Sequence, residues 1–263
     1  MYNLIRVELF KLRKDKAFRM LMLLISALAI IFPLFSYFDN KTHGFPLVPG
    51  IAFLFDSIGI NSFFIKFGTA ILAGFFIANE YSTGVMKTIV SSGNSRGRLF
   101  MAKLIGFAAG AMAISVAFPV ISTIEATLLA GFGQPAVDAT SVFGQLPPGV
   151  PVAFILRAFG LTLLFSASFA VISALFSTLL TESGKTIGLT IIFFMMIDTI
   201  LSMLGSYFPV FETIYDYSVF KLIGQIGEPV LEVGTVQILL VPLLTIAVAG
   251  LLGAIVFRRK EIK

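Results

Sequence analysis

Six stretches of this chain are apolar almost without interruption, and most polar residues fall between them. The runs cover residues 17–38, 62–78, 104–130, 152–180, 187–208 and 236–257. Each has roughly the 17–25 residues that a helix rising about 1.5 Å per residue needs to cross a hydrocarbon core. The third and fourth are long enough to tilt or bend, and Pro119 inside the third predicts a kink. Barrel strands would alternate apolar and polar positions, so continuous runs predict helices instead. The fold class read from this pattern is all-α integral membrane, one domain over residues 1–263 with six transmembrane helices.

Composition agrees with a lipid solvent. Hydrophobic residues make up 57% of the chain and charged residues 13%, against about 25% charged in soluble domains. The formal charge of +5 does not imply nucleic acid, because a basic excess in a membrane protein gathers in cytoplasmic loops. Placing the N-terminus inside puts 15 of the 19 Lys and Arg residues on the cytoplasmic side. Both termini are therefore expected in the cytoplasm, in a multi-pass protein of the cell membrane. Seven carboxylates against four cations remain for the outer face.

Residues 1–16 alternate apolar Tyr2, Leu4, Ile5, Leu9, Phe10 and Leu12 with Arg6, Lys11, Arg13 and Lys14. That pattern predicts an amphipathic helix at the inner interface, in contact with membrane lipid, or more simply a basic flank that fixes topology. The run that follows exceeds a signal-peptide core and ends without a small-residue cleavage pattern, so it reads as a retained first span. Outside, residues 39–61 and 131–151 read as connections, and residues 209–235 as an outer loop holding a short interfacial or re-entrant helix. The inner connection at 181–186 is short enough for a tight hairpin.

Enzyme chemistry finds little support. The single histidine, His43, lies in an outer connection, and the chain has no cysteine. No metal site, catalytic triad, phosphate-binding loop or zinc-protease motif can be assembled, so no catalytic residue and no cofactor is expected in this chain. Ionisable residues inside spans are costly, at about 2.5–3.5 kcal/mol each on insertion scales. Asp198 lies near the middle of the fifth span, Glu125 in the outer half of the third, Arg157 in the outer part of the fourth, and Lys66 early in the second. A Glu125–Arg157 pair would relieve both charges. Asp198 reads either as an interhelical hydrogen-bond partner or as a group on a substrate or proton path. Gly106 with Gly110, the series Ser166, Ala170 and Ala174, and Gly250 with Ala254 mark faces where helices approach closely, within one copy or between two.

The most informative segment is residues 80–103, polar and basic between two spans. It carries Glu80, Gly84, Lys87, Arg96, Arg98 and Lys103, with Val85, Ile89 and Val90 spaced for one face of a short helix. A soluble partner could dock there. With the basic N-terminal segment and the six spans, the pattern Glu80-x-x-x-Gly84 followed by Ser95-Arg96 and Lys103 resembles the type-2 ABC exporter permeases over essentially the whole chain. The resemblance implies that residues 80–103 carry a cytoplasmic coupling helix that fits a groove on a separate ATPase subunit. Glu80 and Gly84 would open that region, Lys87, Arg96 and Arg98 would supply its basic character, and Lys103 would begin the third span. It further implies a half-size permease that works with a second copy or paralogue, with ATP and Mg bound by the partner ATPase. The short bacterial branch of that family includes exporters of antimicrobial peptides, antibiotics and other amphipathic substrates. Two other classes compete with this reading: an ion-coupled secondary transporter using Asp198 and Glu125, and a non-transporting membrane scaffold.

Overall fold

The computed structural model describes residues 1–91, 93, 95–133, 140–141, 144–145, 152–228 and 233–260. The N-terminal segment folds into α1, Tyr2–Lys14, which turns at Asp15 into the first span α2, Lys16–His43. Asp15 makes this one-residue elbow possible: its carboxylate accepts from the Phe18 amide at 2.8 Å and caps α2. The second span is α3, Gly50–Leu72, continued by a π-helical segment, Ala73–Ala78, and a last turn α4, Asn79–Ser82. A short α5, Val85–Ser91, leads to the third span α6, Arg96–Ala130. Beyond it come a two-residue antiparallel pair, Thr140–Ser141 with Gly144–Gln145, and the spans α7, Val152–Leu180, and α8, Ser183–Tyr207. Helices α9, Pro209–Asp216, and α10, Val219–Leu222, and a 3-10 turn, Ile223–Gly227, precede the last span α11, Thr235–Arg259.

Six helices among the described residues are thus long and apolar enough to cross a membrane. Their limits differ from the hydropathy reading in two places. Residues 50–61 are not a connection. They form the first turns of α3, and Ile51, Leu54, Phe55 and Ile58 pack inward in a run too polar at Asp56, Ser57 and Asn61 to score as lipid-facing. At the other end α6 begins at Arg96, and the described residues of the polar segment between spans two and three include a turn and one short helix. The hairpin between α7 and α8 is as tight as its length demands, with Thr181 at φ 56° and Glu182 between the two helices.

Helix α6 occupies the centre, touching α1, α2, α3, α7 and α11. Pro119 does not interrupt it. Proline has no N–H to offer the carbonyl four residues back, that of Ser115, and an orphaned carbonyl in a membrane interior is costly. The Asn61 side chain, 1% exposed on α3, donates to that oxygen at 2.7 Å. A similar repair marks the π segment, whose first carbonyl, Ala73, accepts from Ser177 of α7 at 3.1 Å. The core divides into two clusters. One gathers Leu12, Phe76, Met86, Phe100, Phe107 and Phe257 at the end of the bundle that holds α1 and α5. The other gathers Phe55, Phe154, Phe165, Phe169, Phe194 and Ile223 toward the opposite end, where residues 219–227 fold back against α3 and α7. Helices α3, α6 and α7 are largely buried, whereas α2, α8 and α11 leave most of their length uncovered.

Candidate functional site

Among the described residues, four charged side chains meet where α1 crosses the ends of α4 and α6. Helix α1 carries the stripe Ile5, Glu8, Leu12, with an acid in the middle of an otherwise apolar face. That face meets Gly106 and Gly110 of α6, one helical turn apart. A methyl group on Gly106 would come within 2.9 Å of Glu8 Cβ, and one on Gly110 within 2.9 Å of Leu12 Cδ1. The small-residue pair therefore seats α1 of the same chain.

Seated in this way, Glu8 meets Lys103 of α6 at 3.0 Å and Lys11 of its own helix at 2.8 Å. Glu80, on α4, meets the same two cations, Lys103 at 2.6 Å and Lys11 at 3.2 Å. Two carboxylates and two ammonium groups thus alternate around one buried ring of charge. The Glu8 and Lys103 side chains are each 3% exposed, so neither has water to fall back on. Burial pushes the Glu8 carboxyl up, but the Lys103 charge and the hydrogen bonds and charge of Lys11 outweigh it, and the net direction is down. Burial likewise pulls Lys11 down, and its bonds to Glu8 and Glu80 raise it above the ordinary lysine value. Lys103 also stands over the Phe76 ring at 5.1 Å.

Glu80, expected to open the docking segment, and Lys103, expected to begin the third span, therefore turn inward. Their charges are spent within the chain, because α1 folds back across the helix ends. The sequence reading passed over Glu8, although an acid on the Ile5–Leu12 stripe was the available signal.

What faces outward is α5. Gly84, at φ 74°, supplies the left-handed residue that lets the chain leave α4 and start a new helix. Met86 is fully buried and anchors α5 in the core, with Ile89 and Val90 packed partly behind it. Val85, Lys87, Thr88 and Ser91 are exposed. Arg98 is also exposed and donates to Ser95 Oγ at 2.9 Å. Arg96 serves a different purpose. Its guanidinium donates to the carbonyls of Arg258 and Lys260, at 3.1 and 3.0 Å, and caps the end of α11. Lys260 in turn donates to Thr178 and Leu179 carbonyls at the end of α7. Helices α1, α4, α6, α7 and α11 are thereby fastened together around the root of α5.

The intramembrane candidates separate. No ion pair joins Glu125 to Arg157 among the described residues: Arg157 donates to the Glu228 carbonyl at 2.6 Å and stacks on Phe154, while Glu125 stands half-buried on α6. Asp198 has its interhelical partner in Lys66 of α3, at 2.5 Å. Its second oxygen, Oδ1, is buried without a hydrogen bond. The pair is mostly covered, with the side chains 16% and 29% exposed. Among the described residues no cluster of His, Cys, Asp and Glu has the makings of a metal site.

The family model described as ABC-2 family transporter protein matches residues 4–184 of this chain. None of the curated proteins matches it.

Proposed function

We propose, since the chain belongs to the ABC-2 family of transporter proteins, that it is the permease subunit of an ATP-driven exporter and takes its driving force through α5. Membership makes it a transport component of the membrane that is not itself catalytic, and implies an ABC ATPase as its partner. ATP and Mg then belong to that ATPase. The observation that carries the reading is the build of α5: a helix held by one buried methionine, with a polar face outward and a ring of buried ion pairs at its root. A push on such a helix reaches α4 and α6 directly, because Glu80 is two residues from the end of α4 and is clamped to Lys103.

In this reading the α1–α5 end and both termini face the cytoplasm of a bacterial cell, as the basic bias supports. Lys87 and Arg98 offer charge to the ATPase groove, while Glu80, Lys103 and Gly84 hold the docking helix in place. Alternating access then follows as two arrangements of the helix bundle, biased by nucleotide in the partner. The part of the Lys66–Asp198 pair left uncovered, 16% and 29% of the two side chains, favours a second permease copy or paralogue over bare lipid on that face, since charge exposed to hydrocarbon is costly. Amphipathic peptides or antibiotics remain the substrate class, outward the direction.

Co-expression with a candidate ABC ATPase tests the reading. Met86→Asp should abolish co-purification, because it puts an unpaired charge where α5 is anchored, and Lys87→Glu should weaken it with the fold intact. Co-purification unaffected by both changes would contradict α5 docking.

A further inference from the structure

Far from the charged ring, the last turns of α2, the connection after it, the first half of α3 and the second half of α6 line a partly open cavity of about 620 Å³. Volumes of roughly 300–1,000 Å³ suit drug-sized ligands. Its walls carry five phenylalanines, Phe32, Phe35, Phe45, Phe53 and Phe118. Phe118 is held in place by stacking on Phe64 at 4.3 Å and by an edge contact with Phe32 at 6.1 Å. Two carboxylates line the same space, Asp39 half exposed and Asp56 buried. Among the described residues that line it, none is a lysine or arginine.

The polar remainder narrows the ligand class. The Ser57 and Ser122 hydroxyls already donate to carbonyls of their own helices, those of Leu54 and Phe118. They therefore demand little of a guest. Aromatic faces carry negative potential and attract cations, more strongly where water is scarce. Two carboxylates add to the same sign. An anion meets repulsion, and a neutral apolar body gains nothing from the acids.

We infer that this cavity is a binding site for an amphipathic organic cation, with the apolar body among the phenylalanines and the charge toward Asp39 and Asp56. Asp39 is 49% exposed and stands where an arriving cation would first be drawn. Asp56, 7% exposed, lies where the ligand would end. His43 lies 3.3 Å from Asp39 and stacks on Phe45. Occupancy needs neither the ATPase nor α5, so this site stands apart from the coupling reading.

Equilibrium binding of radiolabelled tetraphenylphosphonium to the full chain in phosphatidylcholine nanodiscs tests it, with no ATPase present. Saturable binding of one cation per chain is expected. Neutral triphenylphosphine oxide and anionic tetraphenylborate should fail to displace it. Asp39→Asn and Asp56→Asn should each weaken binding by about tenfold. Ser36→Phe, at a half-buried lining position on α2, should fill the space and block binding with an unchanged melting temperature. Should Asp56→Asn fail to fold, Asp39→Asn and Ser36→Phe decide the matter. Non-saturable uptake, equal displacement by the neutral compound, or parental affinity in Asp39→Asn and Ser36→Phe would overturn the assignment.

Discussion

Lys103 on α6 and Glu8 on α1 lie 3.0 Å apart across 95 residues of sequence, and both are shut away from water. A charge pair that deep holds only while each member keeps its partners, so the loss of one is far costlier than the loss of both.

Lys103→Met should therefore destabilise the protein by about 3–5 kcal/mol, since it leaves Glu8 and Glu80 facing each other with Lys11 alone between them. Adding Glu8→Gln should recover part of the loss. Thermal melts of the purified single and double variants in detergent give the coupling; strictly additive effects would argue against a shared ring.

The same ring sets a pH window. Glu8 is held below its ordinary 4.5, so its contribution is complete above that value and is lost as pH falls through the lowered one. Lys11 is held above its ordinary 10.5, so its contribution is complete below that value and is lost as pH rises through the raised one. The melting temperature should be flat with respect to these two groups between about pH 5 and 10 and fall on either side. In Glu8→Gln the acid-side fall should shrink.

Asn61 and Pro119 make an independent test of the central helix. Asn61→Leu should cost about 1–3 kcal/mol, because the Ser115 carbonyl loses its substitute donor in a dry interior. Pro119→Ala restores the missing backbone N–H, so in the Asn61→Leu background it should bring much of the stability back. A melt of the four-member cycle that shows no rescue would mean Asn61 acts through packing instead.

Lys66 and Asp198 should likewise behave as a pair. Asp198→Asn leaves an unpaired ammonium inside the bilayer and should lower the melting temperature and the yield of assembled protein, whereas Lys66→Gln with Asp198→Asn should restore both. Size-exclusion profiles and melts of the parent and the two variants distinguish this from a role in transport alone.

Much of this architecture was legible in the chain, for a physical reason. Lipid forces long uninterrupted apolar runs, so the six spans and the hairpin around Thr181 stand out by length alone. The short helix after Gly84 was equally visible from Val85, Ile89 and Val90. What hydropathy could not give was the seating of α1, because Glu8, Glu80 and Lys103 become neighbours only when helices pack. A buried lysine and a solvated one look alike in sequence. Polar residues also misled at the start of α3, where Asp56 and Asn61 face protein rather than lipid. Gly106 and Gly110 announced a close contact without saying with which helix.

The account rests on α5 as the surface the ATPase engages, and the absence of native cysteine makes that directly measurable. A single cysteine replacing Lys87, carrying a short photo-activated crosslinker, would be placed in the chain co-expressed with its ATPase, with a cysteine at Asp39 as the control at the far end. The account predicts a covalent adduct with the ATPase from position 87, which Met86→Asp eliminates, and none from position 39. A permease that co-purifies with its ATPase yet gives no adduct from position 87, or an equal adduct from position 39, would contradict it.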